Sequence, residues 1–215
     1  MIRIDCFSIS VDGFGAGPDQ SLAAPLGVGG ERLPSWFFPT RTFRREVLRQ
    51  EGGTEGIDDR IAAAGMAGLG AWILGRNMFG PIRGPWPDDK WRGWWGDEPP
   101  YHCPVFVLTR HPRAPLEMKG GTVFRFVTGG LAEAVGLARD AAGTKDIRIG
   151  GGVATIRAAF RDRLVDRAHF ALSPVLLGRG EAVFHGLDLA ALGYRVASVA
   201  QGEGASHIVI ERMGT

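Results

Sequence analysis

Gly150, Gly151 and Gly152 stand in a row within KDIRIGGGVATIRAAF (145–160), between a strand-like run and a helix-like one. Glycine within regular structure is less favourable than alanine by roughly 0.5–1 kcal/mol, so three together cost about 2 kcal/mol. A domain with a net stability of about 5–15 kcal/mol gives that up where the backbone requires it. Bare N–H groups at a helix N-terminus, at the positive end of its dipole, suit an anion, and a phosphate first of all. Two further strand-like runs end in related residues: Ala71–Leu74 leads into Gly75-Arg76-Asn77, and Val105–Leu108 into Thr109-Arg110-His111. Ligands of open α/β sheets collect beyond the carboxyl ends of strands, and the guanidinium fork matches phosphate geometry. Together these residues fit a dinucleotide phosphate. Each also has a plain structural reading. The glycines can form a tight turn, Arg76 can cap a carbonyl or join a surface ion pair, and Arg110, followed by His111-Pro112, can be a loop charge.

Carboxylates and aromatic rings supply the other chemistry. Asp12 ends the first strand-like run and precedes Gly13, while Asp58 and Asp59 open a helix-like run. Asp-Gly is also a good turn dipeptide, and acids in a first helical turn also complement the dipole. Trp36, Phe37 and Phe38 form an aromatic knot, and Trp86, Trp91, Trp94 and Trp95 fall in the stretch 81–104 with six of the 13 prolines. Trp36, Phe38 and Trp86 are candidate flat walls for a heteroaromatic substrate, with satellite core or an oligomer contact as the alternative. The stretch reads as an ordered, irregular insertion, because disordered segments are poor in aromatics. His169, His185 and His207 are isolated in the sequence and are assigned no chemistry.

The elements that must position these residues alternate. Ile2–Val11 has strand periodicity, with Ile2, Ile4 and Cys6 on one face and Phe7, Ile9 and Val11 on the other. Gly15–Gly30 reads as a long loop, Thr42–Gln50 as a basic helix, and 57–64 as a helix with Asp58 and Asp59 in its first turn. Strands are expected at Ala71–Leu74, Pro104–Thr109 and Phe124–Thr128. Helical spacing spans Leu131–Ala142, Asp146–Ile149 is a strand, and Val153, Ile156, Phe160 and Leu164 share one helix face. Ala168–Leu172 and a terminal pair, Tyr194–Ala200 and His207–Glu211, complete the pattern. It predicts an α/β fold, a three-layer α/β/α arrangement with a mainly parallel sheet and a C-terminal antiparallel hairpin, in one domain over residues 1–215.

The bulk numbers restrict the partners. A formal charge of +2 on 215 residues, without basic runs, argues against a dedicated nucleic-acid binder. No apolar run approaches the ~20 residues of a membrane span, so no membrane partner is expected. Met1 leads into IRIDCFSISVDG with no basic, apolar and cleavage regions in sequence, and Cys6 and Cys103 form no metal spacing or disulfide framework. A reduced, cytoplasmic setting and a small-molecule substrate are the expectation.

WILGRNMFG, VFVLTRHP and IRIGGGVATI, in this order, resemble the dihydrofolate reductase superfamily, and in particular the branch containing the reductase domain of the bifunctional riboflavin-biosynthesis enzyme. SVDGFGAG is similar to the S-x-D-G opening of that branch, and SPVLLGRGEAVF to its later P-V-x-x-G-x-G-x-x-x-F. The resemblance runs from Ile4 to Phe184. It implies NADPH as reductant, with Gly150, Gly151, Gly152 and Val153 along the pyrophosphate and nicotinamide side and Thr155 beside them. It further implies Gly75, Arg76 and Asn77 facing the phosphates, Thr109 and Arg110 reading the adenosine 2′-phosphate, and Thr128 near the adenine half. Ala16 would offer backbone groups to the nicotinamide carboxamide. The threonine usual two residues after the motif arginine is Met78 here, which removes one hydroxyl contact, and no H-x-E…P-C-x-x-C deaminase segment is present.

Hydride transfer to a C=N or C=O bond needs a proton donor, or a water oriented by a carboxylate. Asp12, in the S-x-D-G motif, and Asp59, placed similarly to the substrate-binding carboxylate of folate reductases, are the candidates. The expected activity is NADPH-dependent reduction of a small heterocyclic, pterin- or pyrimidine-like, or carbonyl substrate. Reduction of a ribosylated pyrimidine as in riboflavin synthesis, and a non-catalytic nucleotide-binding role, are the alternatives. The habits of the family imply a homodimer.

Overall fold

Leu69–Gly75 explains the layering of the fold in seven residues. Alternate side chains point to opposite faces of a strand, so Ala71 and Ile73 enter one hydrophobic core while Trp72 and Leu74 enter another. The next strand repeats the division, with Phe106 in the first core and Val105 and Val107 in the second. Strands apolar on both faces belong in the middle of a sheet covered on both sides.

The computed structural model describes residues 1–80 and 83–214, so positions 81 and 82 of the aromatic insertion lie outside the described residues. In chain order the strands are β1 (Ile2–Ser10), β2 (Leu69–Gly75), β3 (Pro104–Leu108), β4 (Leu116–Glu117), β5 (Val123–Val127), β6 (Asp146–Gly151), β7 (Arg167–Ser173), β8 (Tyr194–Gln201) and β9 (Ser206–Arg212). The helices are α1 (Arg41–Glu46), α2 (Ile57–Met66), α3 (Arg76–Phe79), α4 (Leu131–Ala142) and α5 (Val153–Arg161). One nine-stranded sheet runs in the order β4-β5-β3-β2-β6-β1-β7-β9-β8. The pairings from β5 through to β7 are parallel. β4 pairs antiparallel at one edge, and β7, β9 and β8 pair antiparallel at the other, so the C-terminal hairpin is present as the sequence predicts.

α4 and α5 cover the first face. Ala134, Val135, Ala138 and Ala142 form the buried stripe of α4, and Val153, Ile156, Ala159 and Phe160 that of α5, at the spacing of one helix face. α4 starts where it does because Gly130 takes a φ of 88° and the Glu133 side chain accepts the Gly129 amide at 2.7 Å. The opposite face is covered by α2, by a 3-10 segment at Gly30–Trp36, by Phe79 of α3, and by the aromatic insertion through Trp86, Trp91 and Tyr101.

Two sequence expectations change. α1 ends at Glu46 rather than Gln50, because Arg49 takes a left-handed φ of 58° while the Leu48 and Gln50 amides bond back to Phe43 and Arg44. In β1 the predicted two-face alternation breaks at Cys6, whose φ is 52°. The register with β7 shifts between Ile4 and Phe7, an irregularity that adds a residue and reverses the facing of the strand beyond it. Ile9 therefore joins Ile2 and Ile4 in the first core, with Phe7 packed against it, and Cys6 turns to the opposite core beside Trp36.

Candidate functional site

Parallel strands end on the same rim, so Ser10, Gly75, Leu108, Val127 and Gly151 are brought to one side of the sheet. β6 lies between β2 and β1, which puts the triple glycine at the centre of that rim. β1 and β6 are paired at Ile2–Arg3 against Ile147–Arg148, below the strand ends. Higher up, Phe7 stands between them: a Cβ on Gly151 would come 3.0 Å from its ring, and one on Gly15 would come 2.7 Å from it.

The glycines of this rim are not equivalent. A Cβ on Gly150 would meet Leu74 at 2.6 Å, and Gly151 has a φ of 123°, so the fold itself requires both. A Cβ on Gly75 would lie 2.6 Å from the Thr155 hydroxyl and 2.9 Å from the Gly152 nitrogen, so the ends of β2 and β6 close on each other through that glycine. Gly152 differs. It is the N-cap of α5, with extended backbone (φ −78°, ψ −167°), and a Cβ there would meet nothing within 4 Å among the described residues. The space in front of Gly152, at a helix N-terminus, is open for a ligand. Val153 and Thr155 are buried in the first turn of the same helix.

Arg76, the first residue of α3, reaches across to the end of β3. Its Nη1 donates to the Thr109 hydroxyl at 2.9 Å, and its Nη2 to the Gly84 carbonyl at 3.4 Å. Among the described residues its buried Nε–H has no acceptor, and its guanidinium lies 3.1 Å over the Trp86 ring. The Nε is out of reach of solvent, whereas Nη1 and Nη2 each carry a second N–H beyond these two bonds. Burial, and then the Arg113 guanidinium, lower the Arg76 pKa to about 10, which leaves it a cation at neutral pH. Arg110 and Thr128 are exposed beyond the ends of β3 and β5. The Asn77 amide meets Gln20 of the long loop at 3.5 Å. Met78, in place of a hydroxyl residue, packs 3.4 Å from where a Gly151 Cβ would sit.

Ala16 is held from the later motif. The Gly15 amide donates to the Glu181 carbonyl and the Glu181 amide to the Ala16 carbonyl, both at 2.9 Å, so the segment after β7 doubles back along the loop after β1. Asp12 serves that clasp: its carboxylate accepts from the Leu177 amide at 3.2 Å and the Gly178 amide at 2.6 Å. The Ser10 hydroxyl and then these amides hold its pKa below the ordinary carboxylate value. Asp59 is buried in the first turn of α2, where its Oδ1 accepts the Thr42 amide at 2.7 Å and its Oδ2 has Arg41 at 4.0 Å.

The aromatic candidates separate. Trp36 is 3% exposed, and its Nε1 donates to the Ser8 hydroxyl at 2.8 Å, so it belongs to the interior and not to a ligand wall. Phe38 is half in solvent and lines an open groove with Phe43, Arg44, Leu48 and Thr54, beside α1. Trp86 lies beneath Arg76, the first residue of α3.

His169 and His207, to which sequence reading assigns no chemistry, are in contact. The Cys6 amide donates to His169 Nδ1 at 3.0 Å, His169 Nε2 meets His207 Nδ1 at 2.9 Å, and His207 Nε2 meets Asp58 Oδ1 at 2.7 Å. The amide at one end and the carboxylate at the other assign the tautomers: each imidazole accepts at Nδ1 and donates at Nε2. Asp58 Oδ2 accepts the Gly204 amide at 2.7 Å, and Glu203 accepts the Ile57 and Asp58 amides, so the chain ends on the start of α2, one residue from Asp59. Their alternation on neighbouring strands, with Ala171 opposite His207, is visible only once β7 and β9 are known to pair.

Comparisons with known proteins place this geometry. The family of the RibD C-terminal domain matches residues 4–205. A solved structure from Shewanella sp. PV-4, whose name assigns it to riboflavin biosynthesis, is similar over 99% of this chain and 98% of that one, with 20% identity and a TM-score of 0.55. Dihydrofolate reductase from Enterococcus faecalis, in complex with NADP(H) and RAB-propyl, covers 67% of this chain and 74% of that one, with 15% identity and a TM-score of 0.45. Among curated proteins none matches the chain. No helix of the described residues is long and apolar enough to cross a membrane.

Proposed function

The chain belongs to the RibD C-terminal domain family, which supports a reductase-type function, and from that premise we propose that it is an NADPH-dependent reductase of a small heterocyclic substrate. Two features of one rim support this cofactor: the open space before Gly152 and the Arg76 guanidinium held beside Thr109. NADPH, when bound, supplies the hydride. Gly152 and Thr155 would hold its pyrophosphate, Arg76, Thr109 and Arg110 its 2′-phosphate, and Ala16 its carboxamide, with Gly75 keeping the two strand ends close and Thr128 toward the adenine.

The substrate's proton is assigned to Asp59 rather than Asp12. Asp12 spends both carboxylate oxygens on the 177–178 amides, whereas Asp59 keeps Oδ2 with only a 4.0 Å approach from Arg41. A ribosylated aminopyrimidine is the first substrate class to test, because the family match over residues 4–205 favours it over pterins and simple carbonyls. The test follows loss of NADPH absorbance with pyrimidine ribitol precursors, dihydrofolate, pterins and quinones. Turnover of one heterocyclic class is expected, and Asp59→Asn should lower kcat by about 10²–10⁴ with NADPH affinity unchanged. Absence of turnover across the panel, with NADPH still bound, would favour a binding protein; a larger loss in Asp12→Asn than in Asp59→Asn would reverse the assignment of the carboxylate.

A further inference from the structure

The aromatic insertion supplies none of the phosphate, carboxamide or proton contacts assigned above, yet one of its residues touches the cofactor site closely. Trp86 is half-buried and anchored twice. Its Nε1 donates to the His111 carbonyl at 2.9 Å, and its ring packs edge-to-face on Phe79 and Phe126, with centroids 5.8 and 5.3 Å away. The Arg76 guanidinium lies 3.1 Å over that ring, and the Arg113 guanidinium 4.9 Å from it. Arg113 is itself buried and fixed by Asp89, its Nη2 donating to the carbonyl at 2.8 Å and its Nε paired with the carboxylate at 3.3 Å.

Two guanidinium groups meet one indole, and Arg113 is paired with the Asp89 carboxylate at 3.3 Å. The Asp89 carboxylate reduces their mutual repulsion, and the ring faces offset part of the rest, by about 0.5–2 kcal/mol per contact. A long arginine side chain free of such contacts would lose about 2 kcal/mol of rotamer freedom on gripping a phosphate. Stacked on Trp86 and bonded to Thr109 and Gly84, Arg76 has lost that freedom before the ligand arrives, and its guanidinium has a single orientation.

We propose that Trp86 is a positioning residue for cofactor specificity: it is the platform that presents Arg76 to the 2′-phosphate of the dinucleotide. This rests on the NADPH reading of the site. The assignment moves Trp86 from the substrate to the cofactor and gives the insertion a function that its irregular sequence does not disclose.

The test is calorimetric titration of wild type, Trp86→Leu and Trp86→Phe with NADPH and with NADH. Wild type is expected to prefer NADPH. Trp86→Leu should lose at least about tenfold in NADPH affinity with NADH affinity unchanged, and Trp86→Phe, which keeps a flat ring, should retain most of the preference. In a Trp86→Leu background, Arg76→Ala should add little further loss, because the two act as one unit. Equal weakening of both dinucleotides, or a Trp86→Leu variant with the wild-type ratio, would overturn the platform and leave the NADPH reading standing. A wild type without preference would overturn both. If Trp86→Leu fails to fold, Trp86→Phe with a collapsed ratio overturns the proposal, and with a retained ratio against a collapsed Arg76→Ala ratio supports it.

Discussion

Gly152→Asp melts within about 2 °C of wild type, or slightly above it, and loses NADPH affinity by on the order of 100-fold or more. The two halves of this expectation come from one backbone position. Gly152 is the N-cap of α5 in an extended conformation that any residue adopts, and a Cβ there meets nothing within 4 Å among the described residues. Aspartate is among the preferred N-caps, so the fold gains a side-chain acceptor for the first amides of the helix. The same carboxylate stands where the phosphates are proposed to lie. Two like charges ~4 Å apart at an effective dielectric of 20 repel by about 4 kcal/mol, more than enough for the affinity loss. Gly152→Ser, also a good cap and uncharged, should melt similarly and bind more tightly than the aspartate variant. Gly150→Ala and Gly151→Ala should instead lose stability, since a methyl at the first meets Leu74 at 2.6 Å and the second has a φ of 123°. Aspartate at position 152 with wild-type NADPH affinity, measured by titration, would remove the anion from this helix end.

The second large effect is on stability. His207→Ala removes the middle of the Cys6–His169–His207–Asp58 chain and leaves a buried imidazole N–H and a buried carboxylate oxygen without partners. Breaking a buried polar pair from one side costs about 3–5 kcal/mol, a large share of the roughly 5–15 kcal/mol that a domain possesses. The chain also sets an acid limit. Burial first, then the neighbouring His207 and the arginines Arg167 and Arg148, push the His169 pKa down to about 3. In the unfolded chain a histidine titrates near 6.5. The folded value is depressed, so the stabilisation is fully present above pH ~6.5 and drains as the pH falls from there toward 3, by at most ~1.4 kcal/mol per pH unit. A proton on His169 Nδ1 would face the Cys6 amide donor-to-donor, which is the structural reason for the sign. His169→Gln, whose amide oxygen can accept the Cys6 N–H, should be less stable at pH 7.5 but show a shallower loss between pH 6.5 and 4 in urea titrations. An unchanged acid slope in that variant would show that the titrating group is elsewhere.

Local periodicity and short motifs carry the part of this protein that is legible in its sequence. The stripe at Ala134, Val135, Ala138 and Ala142, the apolar runs of β2 and β3, and the strand-to-helix glycines all announce themselves within a few residues. The family likeness drawn from five short motifs agrees with the match over residues 4–205. Cys6 escapes such reading because strand alternation has a strict period of two and carries no mark for an added residue. The sequence also cannot distinguish Gly152 from Gly150 and Gly151, since the difference lies in Leu74 and Phe7, which arrive from other strands. His169 and His207 are 38 residues apart and meet only through the pairing of β7 with β9. Trp86 finds Arg76 across an irregular segment for which no periodicity exists. Long-range juxtaposition in loops is where reading by residue type ends.

The central claim is a cleft built for a 2′-phosphorylated dinucleotide, and equilibrium titration of the wild-type chain with NADPH and NADH, followed by intrinsic tryptophan fluorescence, tests it most directly. A charge-assisted hydrogen bond to Arg76 worth about 1.5–3 kcal/mol gives roughly 10–150-fold tighter binding of NADPH, with a saturable change in emission from the Trp86 region. Binding of neither nucleotide at millimolar concentration would contradict the cofactor site altogether, and equal affinity for the two would contradict the role given to Arg76, Thr109 and Arg110.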